Sequence, residues 1–258
     1  SSVNMLRNIL THAGYATGSY TSPHLVRYNE RICLNGVEVS DEMLCAAFDR
    51  IDRVRGDISL TYFEFGTLAA LDIFQRAEID IAVLEVGLGG RLDAVNCLDA
   101  DAALITTIDL DHEHWLGRER ESIAREKAGI MRGGSPAVCS DPEPPQSIIN
   151  HAATLGTKLH VPGRDFHHHI TNRCWEWRSG DTVLCDLPRP SLYNTRQMEN
   201  AAGVLMTLHM LADRFPIDAH AIRRGLKEFN VSGRFQVVTD RSQLILDVAH
   251  NRQAMELL

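Results

Sequence analysis

The sequence predicts an α/β protein built on a doubly wound, mostly parallel sheet with a small antiparallel addition. Short apolar runs alternate along the chain with segments whose apolar residues recur at helical spacing. Two of these runs, DIAVLEV at 80–86 and AALITTI at 102–108, are continuous, which is typical of strands buried on both faces. The alternating, turn-rich segment 163–192 indicates the antiparallel addition.

The individual elements follow from spacing and from capping residues. Apolar periodicity ends at Gly14 in the first helix, Ser40 is placed to cap the next helix, and Asn35-Gly36 is a strong two-residue hairpin signal. Helices are predicted over 1–13, 40–54, 63–77, 120–131, 144–156, 195–213 and 218–228. Strands are predicted over 15–20, 80–86, 102–108, 136–140 and 158–161, around Asn35-Gly36, and within 233–240 and 243–251.

Composition excludes several classes of protein. The 258 residues carry a formal net charge of -8, which argues against a dedicated nucleic-acid binder. The six cysteines form no C-x-x-C pair, as expected for free thiols in a reducing cytoplasm. No apolar run approaches the roughly 18 residues needed to cross a bilayer, and the first residues do not form a signal peptide. We therefore expect a cytoplasmic protein without membrane contact.

Both ends of the chain are expected to lie within a longer protein, because it lacks an initiator Met and closes on NRQAMELL, which is typical of the start of a helix. Val238–Ser242 is a plausible hinge, since LILDVAHN begins a new strand-loop-helix unit. We accordingly predict one domain at 1–239 and the beginning of a second at 240–258.

Polar side chains stand at the ends of three predicted strands. Ser22, Glu85 and His112 follow or end these strands, and ligands of doubly wound sheets bind at that edge. Hydroxyl, carboxylate and imidazole donors without a nearby Cys suit Mg²⁺ or Mn²⁺ better than zinc. Each residue has an alternative role: Ser22 as a turn cap, Glu85 as an ion-pair partner of Arg91, and His112 as a loop histidine.

Three further features invite functional interpretations. Lys127 lies in REKAGI on a predicted helix, where spacing alone favours a solvated lysine. The run 167–169 of three histidines lies on an alternating segment, which favours an exposed strand or loop over a metal site. LEVGLGGRLDAVN at 84–96 has three glycines in four positions, but it lacks the Lys-Ser/Thr of a phosphate-binding loop and is not G-x-G-x-x-G.

Seven segments together resemble the folylpolyglutamate synthase/dihydrofolate synthase family of the Mur ligase superfamily, in its bacterial bifunctional form. They are YTSPHLVRYNERI, LTYFEFGTLAAL, LEVGLGGRLDAVN, DLDHEHWLG, REKAGI, GRFQ and LDVAHN. They occur in family order and span almost the whole chain.

The resemblance implies roles for particular residues. Ser22, Glu85 and His112 match the Mg²⁺ positions of the family, and Lys127 matches a lysine that is carbamylated in this superfamily. Ser1 matches the last residue of a phosphate-binding loop of the form G-T-N-G-K-G-[ST], which lies directly before the first helix. Without that loop, we expect the chain alone to be inactive.

The remaining implied positions concern the two large substrates. The pterin or folate would contact Thr61, Tyr62, Phe63, Glu64, Leu92 and Asp93. ATP would contact Asn200, Arg234 and Asp247 in addition to Ser1.

The implied reaction joins L-glutamate to dihydropteroate or a folate at the expense of ATP, with Mg²⁺ or Mn²⁺, in a monomeric enzyme. Two alternatives remain open. One is another Mur-type ligase, such as a peptidoglycan-precursor amino-acid ligase, and the other is a non-catalytic nucleotide- or folate-binding derivative.

Overall fold

The computed structural model describes residues 1–109, 119–171, 174–190, 195–229, 233, 236–239 and 243–247. The α-helices are α1 (Ser2–His12), α2 (Asp41–Arg55), α3 (Tyr62–Arg76), α4 (Arg120–Ala128), α5 (Gln146–Leu155), α6 (Thr195–Met210) and α7 (Ala219–Lys227). The strands are β1 (Thr17–Tyr20), β2 (Ile32–Leu34), β3 (Val37–Glu38), β4 (Ile81–Leu84), β5 (Ala103–Ile105), β6 (Ala137–Cys139), β7 (Leu159–His160), β8 (His167–Ile170), β9 (Cys174–Ser179), β10 (Thr182–Pro188), β11 (Gln236–Thr239) and β12 (Gln243–Leu246). Single 3₁₀ turns span Tyr28–Arg31 and Ala94–Cys97.

The predicted α/β class is confirmed. Strands β1 and β4 pair in parallel, as do β5 with β6 and β6 with β7. The first sheet has the order β3-β2-β1-β4, and the second has the order β5-β6-β7. The predicted antiparallel addition is the three-stranded sheet β10-β9-β8.

Local sequence signals determine several boundaries. The Ser40 side chain accepts a hydrogen bond from the backbone N–H of Met43 and so caps α2, as predicted. Between β2 and β3, Asn35 and Gly36 both have positive φ, 51° and 82°, which is the backbone that a tight hairpin turn requires. Gly14 follows α1 with a φ of 92°. The sequence predicts these elements because interactions between neighbouring residues determine them.

Strand β4 differs from its prediction. It was expected to be buried on both faces, yet only Val83 is buried and Ala82 is exposed. Within the described part of the chain, β4 is hydrogen-bonded to β1 alone. An edge strand has fewer neighbours to cover it, so the continuous apolar run overstated its burial.

The largest core joins the antiparallel sheet to the helices. Trp175 and Trp177 of β9 are almost fully buried against α6, and the indole N–H of Trp177 donates to the carbonyl of Ala202 at 3.1 Å. Gly225 of α7 lies so close to α1 that a methyl group there would lie 2.6 Å from the Ile9 backbone. This core fixes α1 and α6 beside each other, and their N-terminal ends belong to the candidate site.

Strands β11 and β12 form an antiparallel pair, from Gln236 opposite Leu246 to Thr239 opposite Gln243. The expected boundary between residues 239 and 240 falls within this hairpin, and the division into two domains stays a prediction. No helix in the described part of the chain is long and apolar enough to cross a membrane.

Candidate functional site

The ends of β1 and β4 bring Ser22 and Glu85 together. The parallel register places Tyr20 opposite Leu84, and the backbone N–H of Glu85 donates to the carbonyl of Tyr20 at 2.9 Å. One carboxylate oxygen of Glu85 accepts the backbone N–H of Ser22 at 3.0 Å. Both residues are half-buried. The alternative pairing of Glu85 with Arg91 is wrong, because Arg91 binds Glu126 at 3.1 Å.

The donors in this pair fit a hard divalent cation. A serine hydroxyl and a carboxylate supply oxygen, which Mg²⁺ and Mn²⁺ prefer. The third expected ligand, His112, lies outside the described residues, in the segment 110–118. In the part of the chain that the structure describes, no group of three or more His, Cys, Asp or Glu is arranged to hold a metal ion.

One buried carboxylate joins the described residues on either side of segment 110–118. Asp141, which follows β6, accepts from the backbone N–H of Ile108 at 2.8 Å and from Arg120 at 2.7 Å. Arg120 also donates from Nε to the carbonyl of Ile108 at 2.8 Å. The residues on either side of the segment that carries His112 are therefore tied to each other and to the end of β6.

The glycines of LEVGLGGRLDAVN permit close packing. A methyl group on Gly87 would lie 2.8 Å from the ring of Phe63. A methyl group on Gly90 would lie 2.7 Å from the carbonyl oxygen of Glu126 and 3.1 Å from Cα of Lys127. The loop therefore lies directly against α4, and Gly90 permits this contact between two backbones. It also places the half-buried Lys127 beside the loop that begins at Glu85.

The four residues of TYFE do not share one face of α3. Phe63 points toward Gly87 and lies 5.7 Å, between ring centroids, from Tyr20. Tyr62 instead packs edge-on against Tyr28, also at 5.7 Å. The same helix start thus presents one ring to the glycine loop and another to the 3₁₀ turn at 28–31.

Thr61 and Glu64 cap the helix that they begin. The Thr61 hydroxyl accepts the backbone N–H of Glu64 at 3.2 Å, and the Glu64 carboxylate accepts the backbone N–H of Thr61 at 2.6 Å. These backbone bonds lower the pKa of Glu64. The carboxylate expected at the pterin therefore has a structural partner already.

Asp93 holds the glycine loop in shape. One of its carboxylate oxygens accepts the backbone N–H groups of Gly87 and Leu88, each at 3.0 Å, and the other accepts that of Val95 at 2.9 Å. Leu92 beside it is 79% exposed. Asp93 thus stabilises the turn between Glu85 and the 3₁₀ turn at 94–97.

A cavity of about 440 Å³ opens beside Tyr62, and Phe63 is not among the residues that line it. Its walls come from the 3₁₀ turn at 28–31, α2, the loop before α3 and α3 itself. They are formed by Tyr28, Phe48, Asp52, Arg55, Ser59, Leu60, Thr61, Tyr62 and Phe65.

The residues expected at ATP lie partly within the described chain. Ser1 precedes α1, and its hydroxyl is bonded to the side-chain amide of Gln197 in α6 at 3.1 Å. Asn200 lies about one turn further along α6. Asp247 follows β12 and is half-buried, whereas Arg234 lies outside the described residues.

Arg31, in the segment SPHLVRYNERI, was not singled out from the sequence. Arg31 is 8% exposed, and its Nε donates to Nδ1 of His24 at 2.8 Å. Its guanidinium lies 5.4 Å from the ring centroid of Tyr28 and 5.5 Å from that of Tyr62. Burial raises the pKa of Tyr28 to about 12. The ERI segment itself was the only available signal, since the ring of Tyr62 comes from a distant segment of the chain.

Glu199 was also missed. It lies next to Asn200 on α6, and one carboxylate oxygen accepts the Thr107 hydroxyl at 3.4 Å beyond the end of β5. Burial raises the pKa of Glu199, although Arg196 lies 3.4 Å away and acts in the opposite direction. This half-buried carboxylate lies where the end of β5 approaches the first turns of α6.

Fold and site together define a class: an α/β protein that gathers oxygen donors and a glycine-rich loop at the carboxyl ends of neighbouring parallel strands, where such proteins bind ligands. No protein-family model matches the chain.

Known proteins are similar to the chain over nearly its whole length. The dihydrofolate synthase/folylpolyglutamate synthase of Escherichia coli (strain K12) is 46% identical over 253 residues, which are 98% of this chain and 58% of that protein. The structure of E. coli FolC in complex with DHPP and ADP has a TM-score of 0.93 at 45% identity, covering 99% of this chain and 60% of that one. The Yersinia pestis bifunctional enzyme complexed with AMPPNP and Mn ion has a TM-score of 0.91 at 49% identity, with coverages of 98% and 60%.

The chain therefore belongs to the dihydrofolate synthase/folylpolyglutamate synthase family, as the seven segments indicated. It spans about three fifths of the length of the curated relatives that it matches.

Proposed function

We propose that this chain forms part of an ATP-dependent ligase that joins L-glutamate to dihydropteroate, to a folate, or to both. The observation that carries the proposal is the pairing of Ser22 with Glu85 at the ends of two parallel strands in a member of this family. The solved relatives are complexes with DHPP and ADP and with AMPPNP and Mn ion, which supports the same ligand classes here.

The chemistry explains why ATP is needed. A carboxylate is a poor acyl donor, because its leaving group would be oxide. Transfer of the terminal phosphoryl group of ATP to a carboxylate oxygen releases ADP and gives an acyl phosphate. The glutamate amine then attacks the acyl carbon, phosphate leaves, and the amine loses a proton as the amide forms. Positioning and charge stabilisation are what a protein contributes to phosphoryl transfer.

Ser22, Glu85 and His112 would hold Mg²⁺, or Mn²⁺ in its place, and Lys127 would hold a second ion as its carbamate. The metal would supply charge neutralisation on the transferring phosphoryl oxygens. Two contacts of described residues support this assignment: the bond between Glu85 and Ser22, and the packing of Gly90 against Cα of Lys127.

Substrate contacts are proposed at the remaining expected positions. Ser1, Asn200, Arg234 and Asp247 would contact ATP, supported by the bond between Ser1 and α6. Thr61, Tyr62, Phe63, Glu64, Leu92 and Asp93 would line the pterin or folate site, in which Phe63 is the ring that faces the glycine loop. For Glu64 and Asp93, the observed backbone bonds make support of the site an additional role.

The wider assignments are also proposals. We propose a cytoplasmic, monomeric protein that binds no nucleic acid, consistent with the net charge of -8. Residues 1–239 would belong to the ATP-binding domain and residues 240–258 would begin a C-terminal ligase domain.

The test is an ADP-release assay on the full-length protein with ATP, Mg²⁺ and glutamate. Dihydropteroate and tetrahydrofolate are added separately, and we expect at least one of them to stimulate ADP release. Stimulation only by a peptidoglycan precursor would replace the folate proposal with the alternative ligase. Absence of ADP release with every acceptor, while nucleotide still binds, would identify a non-catalytic derivative.

A further inference from the structure

Arg31 is a buried charge without a carboxylate partner in the described part of the chain. It is 8% exposed, and its neighbours include the Nδ1 atom of His24, the rings of Tyr28 and Tyr62, and the hydroxyl of Tyr20. The imidazole nitrogen accepts one hydrogen bond from the guanidinium, and the two rings make cation–π contacts with it. None of these groups carries a negative charge. A buried cation of this kind is costly unless an anion completes its surroundings.

Arg31 is placed next to the proposed reaction centre. Its backbone carbonyl accepts the N–H of Thr21 at 2.8 Å, and Thr21 directly precedes Ser22. Ser22 in turn donates its N–H to Glu85 at 3.0 Å. The side chain of His24, two residues beyond Ser22, reaches back to the guanidinium. One short turn therefore connects Arg31 to the expected metal ligands Ser22 and Glu85.

The surroundings of Arg31 favour an aromatic acid over a nucleotide phosphate. Arg31 directly precedes β2, which pairs with β1 on the side opposite to β4. The proposed ATP contact Ser1 is bonded to α6 instead. The rings of Tyr28 and Tyr62 accompany the guanidinium and also line the cavity beside α3. Aromatic walls beside a cation are complementary to a ring system that ends in a carboxylate.

We propose that Arg31, whose guanidinium lies beside Tyr28 and Tyr62, binds the carboxylate of the aromatic acid acceptor and so positions that carboxylate for phosphorylation. The proposal rests on the proposed function, because it assigns an acceptor-binding role at that same site. A guanidinium can donate two parallel hydrogen bonds to a carboxylate, which fixes orientation as well as position. His24, bonded to Nε, would hold the fork in place.

The experiment measures two dissociation constants for each variant of the full-length protein. One ligand is dihydropteroate, and the other is the same ring system with hydrogen in place of the carboxylate. The variants are Arg31→Gln and Arg31→Lys. The matched control is Arg27→Gln in the neighbouring turn, where Arg27 is exposed and paired with Asp41. The ratio of the two constants cancels any general loss of folded protein.

We expect Arg31→Gln to reduce the preference for the carboxylate at least tenfold, which corresponds to about 1.4 kcal/mol. Arg31→Lys should reduce it by about threefold to tenfold, because the charge remains but the fork is lost. Arg27→Gln should leave the ratio unchanged, and KM for ATP should change less than twofold in all three. If Arg31→Gln does not fold, Arg31→Lys decides the matter.

An unchanged ratio in the folded Arg31 variants would overturn the proposal and leave Arg31 a structural residue. A rise in KM for ATP with an unchanged ratio would overturn it in favour of a nucleotide phosphate. Failure of the proposed function gives a different result: wild-type protein would then neither bind dihydropteroate nor release ADP. Wild-type activity combined with an insensitive Arg31 overturns only the inference.

Discussion

Arg31 and Arg120 lie in two different regions, and their surroundings differ in one respect. Arg120 binds the carboxylate of Asp141 at 2.7 Å and the carbonyls of Ile108 and Glu143. Arg31 has an imidazole nitrogen and two aromatic rings, with no carboxylate among the described residues. The chain itself neutralises Arg120 with Asp141. It leaves the arginine beside Ser22 and Glu85 to be neutralised by a bound molecule.

The largest expected effect concerns Glu85, in the candidate site. Glu85→Gln in the full-length protein keeps the shape of the side chain and removes its charge. We expect turnover to fall by about a thousandfold or more, because charge stabilisation at a phosphoryl-transfer centre is lost. The free energy of unfolding, from urea titration, should change by less than about 1 kcal/mol, because Glu85 is half-buried and forms no ion pair with another described residue.

Glu38→Gln is the matched control for this change, because Glu38 is exposed on β3. It should leave both turnover and stability unchanged. Near-wild-type turnover in Glu85→Gln would contradict the assignment of Glu85 as a metal ligand. The region of Ser22 and Glu85 would then no longer differ in function from the region around Arg120.

The next largest effect is expected at the ion pair between Arg120 and Asp141. The Asp141 side chain is 2% exposed and that of Arg120 is 38% exposed, so Asp141→Asn removes a buried carboxylate and leaves a partly solvated guanidinium without its anion. The loss of a buried carboxylate that accepts hydrogen bonds from Ile108 and Arg120 costs about 2 kcal/mol. Urea unfolding should show this loss, whereas Glu143→Gln, an exposed neighbour, should show almost none. A small loss in Asp141→Asn would mean that Arg120 does not depend on its internal anion.

The sequence predicted those parts of the molecule that depend on neighbouring residues. Asn35-Gly36, Ser40 and the parallel strands follow from turn chemistry, capping and periodicity, and the structure has all of them. The meeting of Ser22 with Glu85 was predictable as well, because the ends of parallel strands share an edge.

Contacts between distant segments were not predictable in the same way. The packing of Gly90 on α4 and the contact of Tyr62 with Arg31 join segments far apart in sequence, and no local pattern encodes them. The segment TYFE is also consistent with two interpretations. It matches a substrate-site segment of the family, and it satisfies the Thr-x-x-Glu pattern of a capping box, which the structure forms.

Asp72 provides an intermediate case between Asp141 and a surface pair. Its side chain is 18% exposed, and Arg50 donates from Nε to both carboxylate oxygens at 3.0 Å. The hydrogen bonds from Arg50 lower the pKa of Asp72, with a further contribution from Arg76. Asp72→Asn should therefore cost about 1.5 kcal/mol near neutral pH.

The pH dependence of this loss has a defined sign. Because the folded pKa lies below the unfolded value, the stabilisation is fully present above the unfolded pKa of about 3.9 and is lost as pH falls through the folded pKa. Urea midpoints at about pH 7, 5 and 3 should show wild type and Asp72→Asn converging at the acid end. Asp49→Asn is the control, since Asp49 is exposed and 4.0 Å from Arg53. A gap that stays constant with pH would contradict an ionic origin.

The smallest effect is expected at Asp101, which pairs with Arg214 where both side chains are more than 60% exposed. Water already solvates both charges, so Asp101→Asn should cost less than about 0.5 kcal/mol, and added salt should abolish even that. Urea unfolding at low and high ionic strength measures both. A loss at Asp101 as large as that at Asp141 would show that burial does not decide what an arginine gains from its carboxylate. The lack of such a partner at Arg31 would then no longer indicate a place for a bound anion.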